Sequence, residues 1–201
     1  MDHFKRIPEE KQKLIINAAI GAFATNGYKK TSINDIAKSA EISKSMVFHY
    51  FGNKKALYLF LLEYCSGLLS AEMTNSWSSD FFDRVKKAID IKLSIMSRYP
   101  SLLIFLSSIY SEKDEAVQNE INMFLQKNRD LSNQTAIDGV DVLRFKPDID
   151  IKLVFKILQY FTEGYLSKAP VKDDTDIRSL IKELDECINL LKNNLYKESC
   201  L

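Results

Sequence analysis

Apolar residues recur every three or four positions along almost the whole chain, the spacing of a helix with one buried face. No segment of useful length alternates as a strand does, and no internal repeat or low-complexity linker interrupts the pattern. The sequence therefore predicts an all-α protein of about nine helices. We expect these helices over residues 9–26, 33–40, 44–51, 53–73, 79–98, 102–110, 113–134, 148–168 and 174–196.

Residues 31–57 contain two short helices separated by a tight turn and followed by the start of a third helix. Ser32 and Asp35 fit a capping signature at the first helix, and Ser43 can cap the second. Gly52 is expected to end the second helix, because glycine readily adopts the left-handed conformation after a last turn. This arrangement indicates a helix-turn-helix, which places its second helix in the major groove of DNA.

The second of these helices carries an unusual surface for its length. Val47, Phe48 and Phe51 can form its buried stripe. Its other positions offer hydroxyls, a cation, an imidazole, a thioether and a phenol, which suit phosphates, base edges and thymine methyl groups. An ordinary helical bundle, in which these side chains are merely packed or exposed, is the alternative. The residues predicted to contact DNA are Thr31, Ser32, Ser43, Lys44, Ser45, Met46, His49, Tyr50 and Lys54.

A longer series of residues extends this signal over residues 11–57. It consists of Ile16, Ala18, Ala19, Phe23, Gly27, Tyr28, Thr31, Ile36, Ala37, Ala40, Ile42, Ser43, Lys44, His49, Tyr50, Phe51, Lys54 and Leu57. In type and order these residues resemble the TetR/AcrR family of transcriptional regulators. Ser45 departs from the family, which often has glycine there, and Phe48 stands where tyrosine is frequent. The resemblance implies a regulator whose partner is a double-stranded DNA operator.

Basic residues are concentrated near the start of the chain. The net charge is +1, but residues 1–55 hold ten Lys and Arg against five Asp and Glu, whereas residues 56–201 hold 18 against 22. This polarity places the electrostatic attraction for phosphate in the helix-turn-helix region. The imbalance is modest, so it supports DNA binding without establishing it.

The fourth predicted helix joins the helix-turn-helix to the rest of the chain without a linker. We therefore predict a DNA-binding domain over residues 1–53 and a ligand-sensing and dimerisation domain over residues 54–201. Aromatic residues in the second domain can line a small-molecule pocket or fill the core of the bundle. By resemblance, a pocket for an unknown small-molecule effector lies among the fourth to eighth helices, where Glu63, Glu112 or Glu163 could neutralise a cation. The candidate pocket residues are Tyr64, Trp77, Phe81, Phe105, Tyr110, Phe124, Tyr160 and Glu163.

The last two predicted helices carry more apolar surface than a terminal hairpin needs. In the final helix the apolar residues repeat with spacings of four and three, as in a coiled-coil seam. These stripes face either the protein's own core or a second copy. Resemblance favours a homodimer, since the last two helices of family members form a four-helix interface. The predicted interface residues are Val154, Leu158, Phe161, Tyr165, Ile177, Ile181, Leu184, Ile188 and Leu191.

Enzymatic classes have little support in the sequence. The only histidines are His3 and His49, so the body cannot hold a Ser-His or Cys-His catalytic pair. No cluster has zinc-ligand spacing and no glycine loop can cradle phosphate, although acid–base chemistry by two carboxylates stays open. We expect no enzyme activity, no cofactor and no metal. We also expect a cytoplasmic protein without a membrane partner, because the chain has neither a long apolar run nor a signal peptide.

The expected function is that of a homodimeric, sequence-specific DNA-binding repressor that a small-molecule ligand releases from its operator. A DNA-binding architectural factor without an inducer is the alternative. An enzyme or interaction module with an incidental helix-turn-helix is a third class. The sequence indicates neither the operator sequence nor the identity of the effector.

Overall fold

The computed structural model describes residues 2–73, 77–168 and 174–200. Over those ranges the chain forms helices and no β-strand, which confirms the all-α prediction. The helices are α1 (Asp2–Lys5), α2 (Glu9–Lys30), α3 (Ile33–Ser39), α4 (Lys44–Phe51), α5 (Lys54–Glu72), α6 (Phe81–Arg98), α7 (Pro100–Ser108), α8 (Glu115–Ile137), α9 (Ile151–Lys168) and α10 (Asp174–Leu195), with 3-10 turns at Val142–Arg144 and Glu198–Cys200.

Most predicted helices are present, with shifted ends. The predicted end of the first helix at Gly27 is an interruption instead, because Gly27 has φ of 67° and ψ of 178° and the helix resumes to Lys30. Pro100 starts α7 two residues early, as a proline tolerated in the first turn of a helix. The short α1 was not predicted, because four residues are too few to show a helical period.

Helices α1 to α4 form an N-terminal unit that packs against the body without a separating seam. Ile15, Ala19 and Phe23 line the buried face of α2, and Leu57 and Leu61 line that of α5. These residues share one hydrophobic cluster with side chains of α7 and α8. The predicted division at residue 53 therefore runs through a continuous core.

A second cluster lies at the far end of the body. Phe81 and Phe82 at the start of α6 pack edge-on against each other and approach Phe145 and Tyr196. Burial of several aromatic rings stabilises this end of the bundle, since each ring removes a large apolar area from water. A smaller third cluster joins α9 to α10 around Leu166, Ile177 and Leu180.

Over the described ranges, no helix is both long and apolar enough to cross a bilayer.

Candidate DNA interface

The helix-turn-helix is built by side-chain caps at both of its helices. The Ser32 hydroxyl accepts the Asn34 N–H at 3.1 Å, and the Ser43 hydroxyl accepts the Met46 N–H at 3.2 Å. Such caps satisfy backbone donors that a helix start leaves unpaired. The turn between the helices places Glu41 at φ of 54°, a conformation that most side chains avoid. Glu41 thus adopts the left-handed conformation that glycine takes most readily.

The buried face of α4 differs from the predicted one, because Tyr50 takes the buried place that was assigned to Phe48. Val47, Tyr50 and Phe51 are buried, and Tyr50 is 4% exposed. Phe48 was expected in the core but is 40% exposed, so that prediction is wrong. The burial of Tyr50 is explained by the unpredicted α1, whose Phe4 packs against Tyr50 with ring centroids 5.8 Å apart. Phe4 covers the side of α4 that the sequence pattern assigned to solvent.

The remaining surface of α4 forms a compact polar face, which we call the reading face. Lys44 lies beside the Phe48 ring, with its ammonium 5.9 Å from the ring centroid. The Ser43 and Ser45 hydroxyls are 2.8 Å apart. The face is exposed except for the half-buried Met46, and it consists of Ser43, Lys44, Ser45, Met46, Phe48 and His49.

Three of the predicted DNA contacts lie away from this face or are engaged elsewhere. Thr31 is buried, and its hydroxyl donates to the Gly27 carbonyl at 2.6 Å, so it secures the end of α2. Tyr50 is in the core, as described above. Lys54 is half-buried, and its ammonium donates to the carbonyls of Thr31 at 3.0 Å and Lys29 at 3.2 Å. That ammonium also lies over the Tyr28 ring. Its positive charge is favourable at the carbonyl end of α2, where the helix dipole is negative.

A carboxylate from the body holds the N-terminal unit in place. Glu112, in the loop between α7 and α8, accepts the Tyr28 N–H at 2.8 Å. It also accepts the N–H groups of Lys113 and Asp114. Gly27 makes this contact possible, because a Cβ there would stand 3.3 Å from the same carboxylate oxygen. No motif in the sequence marks Glu112 for this role.

A second link between the two parts is an ion pair. Lys55 of α5 and Glu120 of α8 approach to 2.6 Å, and this pair lowers the pKa of the Glu120 carboxyl. Both side chains are partly exposed, so the pair contributes little to stability. It does fix the start of α5 against the body.

The predicted effector pocket is not assembled as a single cavity. Phe81 belongs to the far cluster, whereas Phe105 and Phe124 are packed in the main core. Tyr160 is exposed on α9, and the ammonium of Lys87 lies over the Trp77 ring. Aromatic residues at helical spacing are thus mostly core residues in this chain.

The carboxylates considered for a cationic effector already have partners. Glu163 is bound by the guanidinium of Arg129 at 3.0 Å, Glu63 by the ammonium of Lys127 at 3.1 Å, and Glu112 as described above. Burial, together with a smaller contribution from the nearby Glu163, raises the pKa of Tyr110 to about 12. Tyr64, one of the predicted pocket residues, lines a cleft that is described below.

The predicted dimer residues point mainly inward. Val154, Leu158, Leu184 and Ile188 are buried in the chain's own second cluster, and Ile177 is buried in the third. Phe161, Tyr165, Ile181 and Leu191 are half-buried. The chain itself covers those buried positions, because α9 and α10 contact each other and α10 also packs on α6, and their part in a dimer interface stays a prediction.

A different apolar strip on α9 is left uncovered. It consists of Leu153, Ile157 and Tyr160, which are 55%, 49% and 57% exposed and which follow a spacing of four and three. Leu190 on α10 is 64% exposed. We refer to the three residues of α9 as the α9 strip. A contiguous exposed apolar surface of this kind is typical of protein–protein contact.

Comparisons with known proteins agree with this geometry. Residues 15–60 match the family model described as bacterial regulatory proteins, tetR family. The chain is 32% identical over 135 residues to the uncharacterized HTH-type transcriptional regulator YuxN of Bacillus subtilis, covering 66% of this chain and 45% of that protein. It thus spans less than half of YuxN. It is 28% identical over 177 residues to IcaR of Staphylococcus epidermidis, covering 84% of this chain and 91% of IcaR, which is named a biofilm operon icaADBC HTH-type negative transcriptional regulator.

The fold is shared with a solved regulator as well. The transcriptional regulator FadR from Bacillus subtilis, solved in complex with stearoyl-CoA, superposes with a TM-score of 0.65 at 17% identity, covering 89% of this chain and 96% of FadR. At that identity the likeness concerns the fold alone. The family match lies on the helices that carry and support the reading face, and residues 15–60 therefore carry the helix-turn-helix region of the tetR family of bacterial regulatory proteins.

Proposed function

We propose that this chain is a sequence-specific DNA-binding transcriptional regulator that acts as a homodimer, and that a small-molecule effector releases it from its operator. The observation that carries the proposal is the exposed reading face of α4. Its opposite side is fixed by buried Val47, Tyr50 and Phe51. A rigid helix with short polar side chains on its free face suits insertion into the major groove.

The proposed DNA contacts fall into two classes. Lys44 and the hydroxyls of Ser32 and Ser43 lie at helix starts, where they and the backbone N–H groups can meet phosphates. Ser45, Met46, Phe48 and His49 are the candidates for base edges and thymine methyl groups. Thr31, Tyr50 and Lys54 are reassigned as residues that position these contacts.

Dimerisation through α9 and α10 would present two reading faces to one operator. The α9 strip supports this proposal, because its exposed apolar side chains need a cover. Gly164, one turn beyond Tyr160, has open space around it and would permit close approach of a second helix. A two-fold dimer binds a near-palindromic operator, with one half-site for each copy.

Repression and release by a small molecule are proposed on two grounds. IcaR is named a negative regulator, and FadR was solved with a bound acyl-CoA. We call α1 to α4 the reading head and α6 to α10 the body. In this chain α5 joins the reading head to the body, and Glu112 and the Lys55–Glu120 pair also connect the two. A shift in the body would therefore be transmitted to α4.

Binding to an operator would place the protein in the bacterial cytoplasm.

Selection of bound genomic fragments tests this function. The full chain is incubated with sheared bacterial DNA, and the retained fragments are sequenced. Enrichment of a few near-palindromic sites, confirmed by gel shift at several salt concentrations, is the expected result. Uniform retention of all fragments would indicate an architectural factor, and no retention at low salt would overturn the proposal.

A further inference from the structure

A small cleft lies where the reading head meets the body, and neither the reading face nor the α9 strip includes it. Its volume is about 150 Å³, and it is bounded by α2, α5 and the bend between α6 and α7. We call it the junction cleft. Its lining residues are Asn17, Ile20, Tyr64, Leu68, Arg98, Tyr99, Ser101 and Leu102.

The floor of the junction cleft is apolar. Ile20 and Leu102 are buried there, and Leu68 is half-buried beside them. Tyr64 and Tyr99 add two phenol rings, which offer flat surfaces to a planar ligand. A cavity of about this volume accommodates benzene in an engineered protein of another family, so a single aromatic ring is a suitable occupant.

The rim of the junction cleft is polar and carries one charge. The Arg98 guanidinium donates one N–H to Glu72 at 2.9 Å, and both side chains are about half exposed. Arginine has five N–H donors, so this contact uses a fraction of its capacity. No carboxylate is present among the described residues that line the cleft. Glu72 offsets part of the charge of Arg98, and the remaining N–H donors of the guanidinium are the groups at the rim that can bind an anionic oxygen.

Neutral groups at the rim can complete the recognition. Asn17 and Ser101 are exposed and supply an amide and a hydroxyl. The phenol of Tyr64 is protonated at neutral pH, since its ordinary pKa is near 10 and burial raises that pKa, so it can donate a hydrogen bond. Donors around a single guanidinium are the arrangement that binds a carboxylate.

We propose that the junction cleft is a binding site for a compact aromatic carboxylate, whose ring lies against Tyr64 and Leu68 and whose carboxylate binds Arg98. The regulatory consequence rests on the function proposed above. Asn17 and Ile20 belong to α2, which supports the helix-turn-helix, whereas Ser101 and Leu102 belong to α7. A ligand between them fixes one arrangement of head and body. In the proposed release this arrangement fits the operator less well, and linkage then requires operator and ligand to weaken each other by the same factor.

Three probes with the same aromatic ring but different charges test whether the cleft prefers an anion. Benzoate, uncharged benzamide and cationic benzylamine are titrated into the isotopically labelled full chain, with NMR shifts followed at Leu68 and Ser101. Benzoate should bind tightest, and saturation is sought up to about 10 mM because a fragment of this size binds in the millimolar range. Arg98→Gln should weaken benzoate roughly tenfold or more, the effect of a lost charge-assisted hydrogen bond.

Two further variants test whether the effect is specific to Arg98 and whether benzoate binds inside the cleft. Arg178→Gln removes an exposed arginine from α10 and should leave benzoate affinity unchanged. Leu68→Trp fills the cleft and should abolish the benzoate-dependent shift at Ser101 while the spectrum stays that of a folded protein. Absence of benzoate binding, equal binding of benzamide, or equal benzoate binding by Arg98→Gln would each overturn the site.

The operator experiment separates this inference from the proposed function. If the protein selects operator DNA but benzoate binds equally with and without it, the regulatory role of the cleft fails and the DNA-binding function stands. If no operator is selected, the proposed function fails, while benzoate binding at Arg98 would still be measurable.

Discussion

Single residues decide what the reading face can recognise. Lys44 is exposed at the start of α4, whereas Lys54 is turned inward onto the carbonyls of Lys29 and Thr31. Both were expected to meet phosphate, because the sequence shows charge and position but not the direction of a long side chain. The two lysines should therefore respond differently to removal.

Lys44→Ala should weaken binding to every operator sequence and lower the slope of log affinity against log salt by about one. The reason is the loss of one phosphate contact, and the measurement is a gel shift at several salt concentrations. Lys182→Ala, which removes an exposed lysine from α10, is the control and should leave the slope unchanged. An unaltered slope for Lys44→Ala would remove this residue from the interface.

Lys54→Ala should act mainly on stability. Its ammonium loses two carbonyl contacts and the Tyr28 ring, which together are expected to cost about 1–2 kcal/mol of unfolding free energy. Urea unfolding at pH 7 measures this loss. A variant of normal stability whose salt slope falls by one would show that Lys54 contacts phosphate after all.

Helices are held together by contacts between residues far apart in sequence, which hydrophobic periodicity does not reveal. The helix-turn-helix could be predicted because caps, turn and apolar spacing are local. The burial of Tyr50 could not, since it depends on Phe4 from α1, which precedes it by 46 residues in sequence number. The contact between Glu112 and Tyr28 was equally hidden, because a single carboxylate in a loop has no sequence signature.

Gly27→Ala tests the contact between α2 and the body. At φ of 67° and ψ of 178° a side chain is strained, and its Cβ would stand 3.3 Å from Glu112, so we expect a loss of about 1–3 kcal/mol of unfolding free energy. Gly67→Ala is the matched control, since Gly67 lies in α5 with open space and should gain slightly from helix propensity. Thermal and urea unfolding compare the two. Equal effects would show that the interruption of α2 carries no strain.

Asp80 joins three elements at the far end of the body. Its buried carboxylate accepts the Asp83 N–H and the Tyr196 hydroxyl and pairs with Arg144. Burial alone would raise the pKa of this carboxyl, but the hydrogen bonds and the nearby cations Lys192 and Arg144 outweigh it, so the pKa is lowered. A lowered pKa means that the carboxylate stabilises the fold above the unfolded value near 3.9, and that this contribution is lost as the pH falls through the folded value.

Asp80→Asn should therefore lower the unfolding free energy at pH 7 by about 2–3 kcal/mol, the range for hydrogen bonds to a charged group. The difference from the unaltered chain should shrink as the pH falls below about 4. Urea titrations at pH 7 and pH 3 measure both quantities. A difference that stays constant over this range would mean that the charge of Asp80 contributes nothing.

At the scale of the whole molecule, the sequence predicted the architecture better than the surfaces. An apolar stripe on α10 shows that one face is buried but does not tell whether the cover is the same chain or a second copy. Leu184 and Ile188 pack within the chain, and the uncovered apolar residues are those of the α9 strip. A ligand pocket is hard to predict for a similar reason, because aromatic residues serve the core and a ligand site alike.

The exposed α9 strip predicts where a second copy of the chain would bind. Ile157→Asp should place an unpaired carboxylate in the centre of the proposed interface, which is strongly unfavourable, and should convert the dimer to a monomer. Met123→Asp is the control, since Met123 is 73% exposed on α8 and its replacement should leave the dimer intact. Sedimentation velocity measures the assembly, and circular dichroism checks that both variants are folded. The monomer should also lose most of its operator affinity, because one reading face contacts only a half-site. If folded Ile157→Asp still sediments as a dimer, the α9 strip is not the interface and a second copy must be sought on another surface.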